Sequence, residues 1–239
     1  MPILAYILIA LAAYLAGSIP TGYLVARARG VDIRSVGSGN IGATNAMRAL
    51  GKPAGILVLV ADALKGFLAC LYLPAAIYDG VASQIPGFGR FGATPGEYQV
   101  RFYVVAGIFA VLGHNYTCWL KFKGGKGVAT TAGVCAVLVP WPLLVGLAVF
   151  VLMLLATRYV SVASISAAVA LPAAAWILPP DNLAGVVVPS HDLLLRVVMT
   201  ALGGMVIYRH RGNIQRLMEG NENRFGKKTE TETRKLRGG

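Results

Sequence analysis

Four stretches of this 239-residue chain carry no charged side chain: Met1–Ala26, Phe102–Leu120, Gly127–Thr157 and Tyr159–Pro180. Each is close to or above the roughly 18 residues that read as a bilayer crossing. Composition agrees, since 13% of the residues are charged and 56% hydrophobic, whereas soluble domains carry roughly 25% charged residues. Disorder, collagen, a coiled coil and a disulfide scaffold each need charge, a glycine period, heptads or cysteines that are missing here. The chain reads as an all-α, polytopic integral membrane protein.

A net charge of +12 would suit a nucleic-acid partner, but charge placement excludes one, because nucleic-acid-binding domains do not alternate basic loops with span-length apolar runs. Cys70, Cys118 and Cys135 fall in apolar segments, odd in number and without metal-site spacing, so they read as buried free thiols. The N-terminal run lacks the basic start of a signal peptide and is too long for one, so it reads as a retained span.

Seven transmembrane helices are expected at about 3–25, 54–78, 102–120, 127–139, 143–157, 162–178 and 193–208. The run Gly127–Thr157 would make roughly 46 Å of helix, too long for one crossing of about 30 Å. Pro140, Trp141 and Pro142 supply a break, which leaves two short helices that must tilt, re-enter or be sheltered. Of the 22 basic residues, 18 fall on one side of this map: Arg27–Lys52, Lys121–Lys126, Arg158 and the segment from Arg209 onward. Basic loops stay in the cytoplasm, which predicts a periplasmic N-terminus and a cytoplasmic C-terminus in the bacterial inner membrane. Residues 1–226 read as one transmembrane domain and 227–239 as a basic, disordered cytoplasmic tail.

The same four basic segments hold the unusual polar chemistry. The first runs Gly37-Ser38-Gly39-Asn40-Ile41-Gly42-Ala43-Thr44-Asn45 and reaches Arg48. Its G-x-G-x-x-G spacing lacks the strand and βαβ unit of a dinucleotide site. Glycines still free backbone N–H groups to point at an anion, and Ser38, Asn40, Thr44 and Asn45 add neutral donors. A flexible loop with helix caps would carry the same residues. In the second, Gly113-His114-Asn115-Tyr116 precedes Phe122-Lys123-Gly124-Gly125-Lys126-Gly127. There Lys126 stands at a helix start that favours phosphate, although a solvated lysine is the plain alternative. His114, at a span end, reads as a structural histidine.

Arg158-Tyr159-Val160-Ser161-Val162-Ala163-Ser164 forms the third segment, whose arginine either binds a ligand or snorkels to headgroups. In the fourth, Tyr208-Arg209-His210-Arg211-Gly212-Asn213, His210 and Asn213 are three apart and can face one ligand. Arg216, Arg224, Lys227 and Lys228 fit an amphipathic tail on anionic lipid. Asp62 and Lys65 suit an i, i+3 ion pair inside the bundle.

Cations and amides without carboxylates bind anions, and hard metals or zinc would need ligands that are absent. The expected ligand is phosphorylated, its co-substrate is lipidic, and neither metal nor cofactor is expected. The runs Gly37–Asn45, Gly124–Thr130, Arg158–Ile165 and Tyr208–Arg216 resemble, in order and spacing, the blocks of the bacterial acyl-phosphate-dependent glycerol-3-phosphate acyltransferase family, the PlsY type. The resemblance covers about residues 3–226. The connection 79–101, with Phe88–Gly92, and the tail after Gly226 look longer than the family pattern.

That resemblance implies seven spans and transfer of an acyl group from acyl phosphate to sn-glycerol 3-phosphate, giving 1-acyl-glycerol 3-phosphate and phosphate at the start of phospholipid synthesis. It implies catalytic roles for His210, Asn213 and Ser38, and substrate binding by Arg48, Lys126 and Ser164. Asn40, Thr44, Asn45, Arg158 and Arg209 follow in second rank. The expected partners are glycerol 3-phosphate, acyl phosphate and membrane lipid. Thioester-using acyltransferases carry His-x4-Asp, whereas His114, His191 and His210 are followed five positions later by Trp119, Arg196 and Gln215. The competing class is a transporter of a phosphorylated metabolite, disfavoured by the one-sided charge and the lack of visible inverted repeats of broken helices. A non-enzymatic scaffold would not need four glycine- and amide-rich blocks.

Overall fold

The computed structural model describes residues 2–80, 95–179 and 192–226, among which all regular structure is helical. In chain order these are α1 (Pro2–Ser18), α2 (Thr21–Arg27), α3 (Ala43–Leu50), α4 (Lys52–Gly80), α5 (Pro95–Asn115), α6 (Val128–Leu138), α7 (Pro140–Thr157), α8 (Val160–Ile177), α9 (Asp192–Arg209) and α10 (Arg211–Met218). The tail 227–239, with Lys227 and Lys228, and the Phe88–Gly92 segment lie outside the described residues.

Five stretches are long and apolar enough to cross a bilayer, or six if α9 and α10, bent by 52°, count as one span. The expected seventh, α6, has only 11 residues, about 16 Å at 1.5 Å per residue. It is sheltered instead, since Thr130, Thr131, Gly133, Val134, Cys135, Val137 and Leu138 are all buried. A Cβ at Gly133 would lie 2.0 Å from the Ala63 carbonyl oxygen of α4, and one at Gly66 of α4 would lie 2.3 Å from that of Thr130. Reciprocal glycines therefore let the two backbones close on each other, the usual way helices gain contact within lipid. The face of α7 differs, exposing Leu147, Val151, Leu152 and Leu155.

The proline-rich break falls one residue earlier than expected. Val139 is off-helical (φ −145°, ψ 65°) and Pro140 opens α7, because a proline disfavours the helical region for its predecessor and fits the first helical turn. The first span is broken at Ile19-Pro20, where the proline lacks a donor. The freed carbonyls find partners: Thr117 Oγ1 donates to Ser18 O at 2.5 Å and Lys65 Nζ to Ile19 O at 2.8 Å. Helix α5 ends at Asn115 rather than near 120, and the chain turns through Thr117–Phe122, placing Cys118 half-buried in a turn. In the first polar segment α3 replaces an expected loop. Lys65 and Asp62 of α4 pair at 2.8 Å, with side chains 9% and 4% exposed.

Candidate functional site

Asn45, buried on α3, organises the first polar segment. Its Nδ2 lies 3.1, 2.9 and 2.9 Å from the carbonyl oxygens of Ile33, Val36 and Asn40, while its Oδ1 accepts the Ser38 N–H at 2.9 Å. Gly37 is at φ 59°, and a Cβ there would lie 2.3 Å from Asn45 Oδ1, so both the turn and the space require glycine. Asn40 Oδ1 accepts the Gly42 N–H at 2.8 Å, at the start of α3. The loop is thus tied by its own amides. Ser38 and Thr44 line a cavity beside it, as does Arg48, which donates to the Asn223 carbonyl at 3.4 Å.

That cavity has a volume of about 400 Å³ and is lined by residues from all four polar segments. From the second come Lys126 and Gly127. At φ 80°, Gly127 precedes the first turn of α6, whose leading N–H groups have no intrahelical partner. Lys126 donates to Asn213 Oδ1. Burial pushes its pKa down to about 8, with Arg216, Arg48 and Arg209 adding to the drop and Glu222 opposing it. Burial and Arg216 also lower the Arg48 pKa.

The third and fourth segments close the wall. Ser164 lines the cavity with its hydroxyl on the Val160 carbonyl at 2.8 Å. His210 caps the start of α10 in the bend after α9, buried, with Nδ1 2.7 Å from the Val206 carbonyl. An imidazole with a proton on Nδ1 donates there and keeps Nε2 as its acceptor. Burial, and after it the Lys126 charge, lower the His210 pKa to about 4, so the ring is neutral near pH 7. Asn213 stands one turn on, buried and lining the same space.

Nine of the expected residues therefore meet: Ser38, Asn40, Thr44, Asn45, Arg48, Lys126, Ser164, His210 and Asn213. Two stand apart. Arg158 ends α7 with its side chain exposed, while its main chain is engaged, the N–H donating to the Leu154 carbonyl at 2.8 Å and the carbonyl accepting the Phe225 N–H at 2.6 Å. Arg209 donates to the carbonyls of Gly124 and Gly125 at 2.7–3.0 Å and lies 5.1 Å from the Tyr116 ring centroid.

Carboxylates, expected to be absent, are present. The chain reverses at Gly220 and brings Glu222 into the wall, its side chain 5% exposed. Glu222 Oε1 accepts from Asn213 Nδ2 at 2.7 Å and Ser161 Oγ at 3.0 Å, and Oε2 from Arg216 Nε at 2.8 Å. Arg216 accordingly pairs inside the protein, and Arg224 donates to the Tyr159 hydroxyl at 2.9 Å. The tail-like composition of 211–226 hid this; the glycine following α10, a common helix stop that reverses the chain, was the available signal. Asp62 and His114 line the cavity as well, with His114 Nδ1 3.7 Å from Asp62 Oδ1. This is not a base dyad open to a ligand, because a Cβ on Gly125 would sit 2.1 Å from His114 Nε2.

An apolar groove of about 70 Å³ between α6, α7 and α8 shares Val128, Ala132, Leu147, Phe150 and Ser164 with the cavity and extends to Leu143 and Leu171. No group of three or more His, Cys, Asp or Glu that could hold a metal ion occurs among the described residues.

The family model described as glycerol-3-phosphate acyltransferase matches residues 7–220. A protein of that name from Geotalea daltonii is 43% identical over 219 residues, covering 92% of this chain and 97% of its own, and one from Geobacter sulfurreducens is 45% identical over 213 residues, covering 89% and 94%. Among solved structures, the integral membrane glycerol 3-phosphate acyltransferase PlsY (YgiH) in its glycerol 3-phosphate form superposes with a TM-score of 0.72 at 38% identity, covering 92% of this chain and 96% of that one. Its lysophosphatidic acid form gives 0.70 at 37%, covering 92% and 95%.

Proposed function

The chain belongs to the glycerol-3-phosphate acyltransferase family, and from that premise we propose that it moves an acyl group from acyl phosphate to the 1-hydroxyl of sn-glycerol 3-phosphate. The products are 1-acyl-glycerol 3-phosphate and inorganic phosphate. Acyl transfer to glycerol 3-phosphate follows from the family, so the transporter alternative is set aside. The donor, the acting side chains and the membrane topology are the proposal.

One observation carries it: Arg48, Lys126, Asn213, Ser38 and Ser164, drawn from four separate segments, line one cavity that continues into an apolar groove. Cations and donors suit two phosphate groups, and the groove between α6, α7 and α8 suits an acyl chain. In the reaction the glycerol hydroxyl oxygen bonds to the acyl carbon, the bond from that carbon to the phosphate oxygen breaks, and phosphate leaves. The leaving group of a mixed anhydride is good, so little base strength is needed. A substrate phosphate oxygen takes the hydroxyl proton, while Lys126 and Arg48 stabilise the departing charge.

A His210 pKa near 4 favours an orienting role beside Asn213 over a base. Ser38 completes the catalytic set, and Asn40, Thr44 and Asn45 shape the phosphate loop. Arg158, exposed at the end of α7, is assigned to headgroup or incoming-substrate contact. The cavity faces the cytoplasm of the bacterial inner membrane, with the N-terminus periplasmic, residues 1–226 as the catalytic domain and α6 as a seventh, partial crossing.

Pure protein in detergent, without vesicles, tests this. Turnover with acyl phosphate and none with acyl-CoA or acyl carrier protein is expected. Robust turnover with a thioester as sole donor overturns the donor assignment.

A further inference from the structure

Lys126 projects from Gly124-Gly125-Lys126-Gly127, a run that by composition should let the lysine wander. The structure removes that freedom. Gly124 N–H donates to Asn115 O at 3.2 Å and Gly125 N–H to His114 O at 3.0 Å, while the Gly124 and Gly125 carbonyls are held by the Arg209 guanidinium. The His114 ring packs so closely on Gly125 that no Cβ fits.

His114 itself stands beside a buried ion pair. Its Nδ1 faces Asp62 at 3.7 Å, Asp62 pairs with Lys65 at 2.8 Å, and Lys65 Nζ reaches Ile19 O at the break between α1 and α2. Buried charges are costly in a bilayer and usually pair or serve a site.

We infer that His114 and Arg209 are positioning residues that hold the glycine run, the His114 ring by packing against Gly125 and the Arg209 guanidinium through the Gly124 and Gly125 carbonyls, and so set where the Lys126 ammonium stands in the cavity. The inference rests on Lys126 binding a substrate phosphate. It assigns Arg209 an action through the loop rather than direct contact with substrate.

The test is a double-mutant cycle. kcat and KM for glycerol 3-phosphate are measured at fixed acyl phosphate for wild type, His114→Gln, Arg209→Lys, Lys126→Arg and the two doubles with Lys126→Arg, with a thermal unfolding curve for each. His114→Gln and Arg209→Lys should each lose at least about tenfold in kcat/KM, the equivalent of one charged hydrogen bond, while still unfolding cooperatively. In the Lys126→Arg background the same changes should cost little more, because the group they position is already displaced.

Losses that multiply, or single variants with wild-type kinetics, overturn the clamp while leaving Lys126 as a phosphate ligand. Failure of both single variants to fold also overturns it, by making the cluster a folding element only. Unaltered kinetics in Lys126→Arg alone removes the phosphate assignment, a separate failure.

Discussion

Glu222 reaches back across the reversal at Gly220 to accept a hydrogen bond from Asn213 at 2.7 Å. The carboxylate therefore orients an amide whose oxygen accepts a hydrogen bond from Lys126. Glu222→Gln keeps the shape but removes the charge that balances Arg216, and should cost about 1–3 kcal/mol. A melting temperature several degrees lower in detergent, with residual activity in the folded fraction, is the expected result; an unchanged melting curve would contradict it.

Lys126 sets an alkaline limit. With a pKa near 8, it sheds its charge as pH rises through 8, so KM for glycerol 3-phosphate should climb above that pH. Lys126→Arg, charged throughout, should abolish the climb even though its baseline KM is higher. The linkage sign is also fixed. A folded-state pKa below the unfolded value of about 10.4 means the unfolded chain binds more protons between pH 8 and 10, so this group makes stability rise across that window. Melting of wild type against Lys126→Met from pH 7 to 10 reads it directly.

His210 should titrate near pH 4 rather than 6.5. The kcat profile from pH 5.5 to 7.5 should then show no histidine limb, and His210→Gln should keep part of the activity, since an amide also orients. A limb near 6.5 that disappears in His210→Gln, together with nearly all activity, would make it the general base.

The contact of α4 with α6 predicts a contrast between two glycines. Gly133→Ala drives its Cβ to 2.0 Å from the Ala63 carbonyl, whereas Gly204→Ala meets nothing within 4 Å. The first should lower the melting temperature by several degrees. The second should leave it equal or higher, because alanine is favoured over glycine in a helix by about 1 kcal/mol. Thermal unfolding of both in one detergent decides it.

Hydropathy made most spans legible because lipid tolerates no other pattern over their length. Helix α6 escaped it: an 11-residue apolar helix walled in by α4 looks, as a sequence, like half of a longer span. Helix α3 escaped because its Ala-Thr-Asn-Ala start is also loop-like, and only Asn45 tied to three carbonyls shows why it forms. In the site, residues whose type names their chemistry, such as Lys126 and Asn213, could be read directly. Glu222 could not, since it owes its place partly to Ser161, 61 residues away in the chain.

The cavity wall draws on segments far apart in the chain: Ser38 and Arg48 are made early, whereas His210, Asn213 and Glu222 emerge from the ribosome late. Nascent membrane proteins settle their early helices first, so for most of synthesis the anion cradle exists without its closing side. A partly translated or prematurely terminated chain therefore sits in the bilayer without a competent pocket.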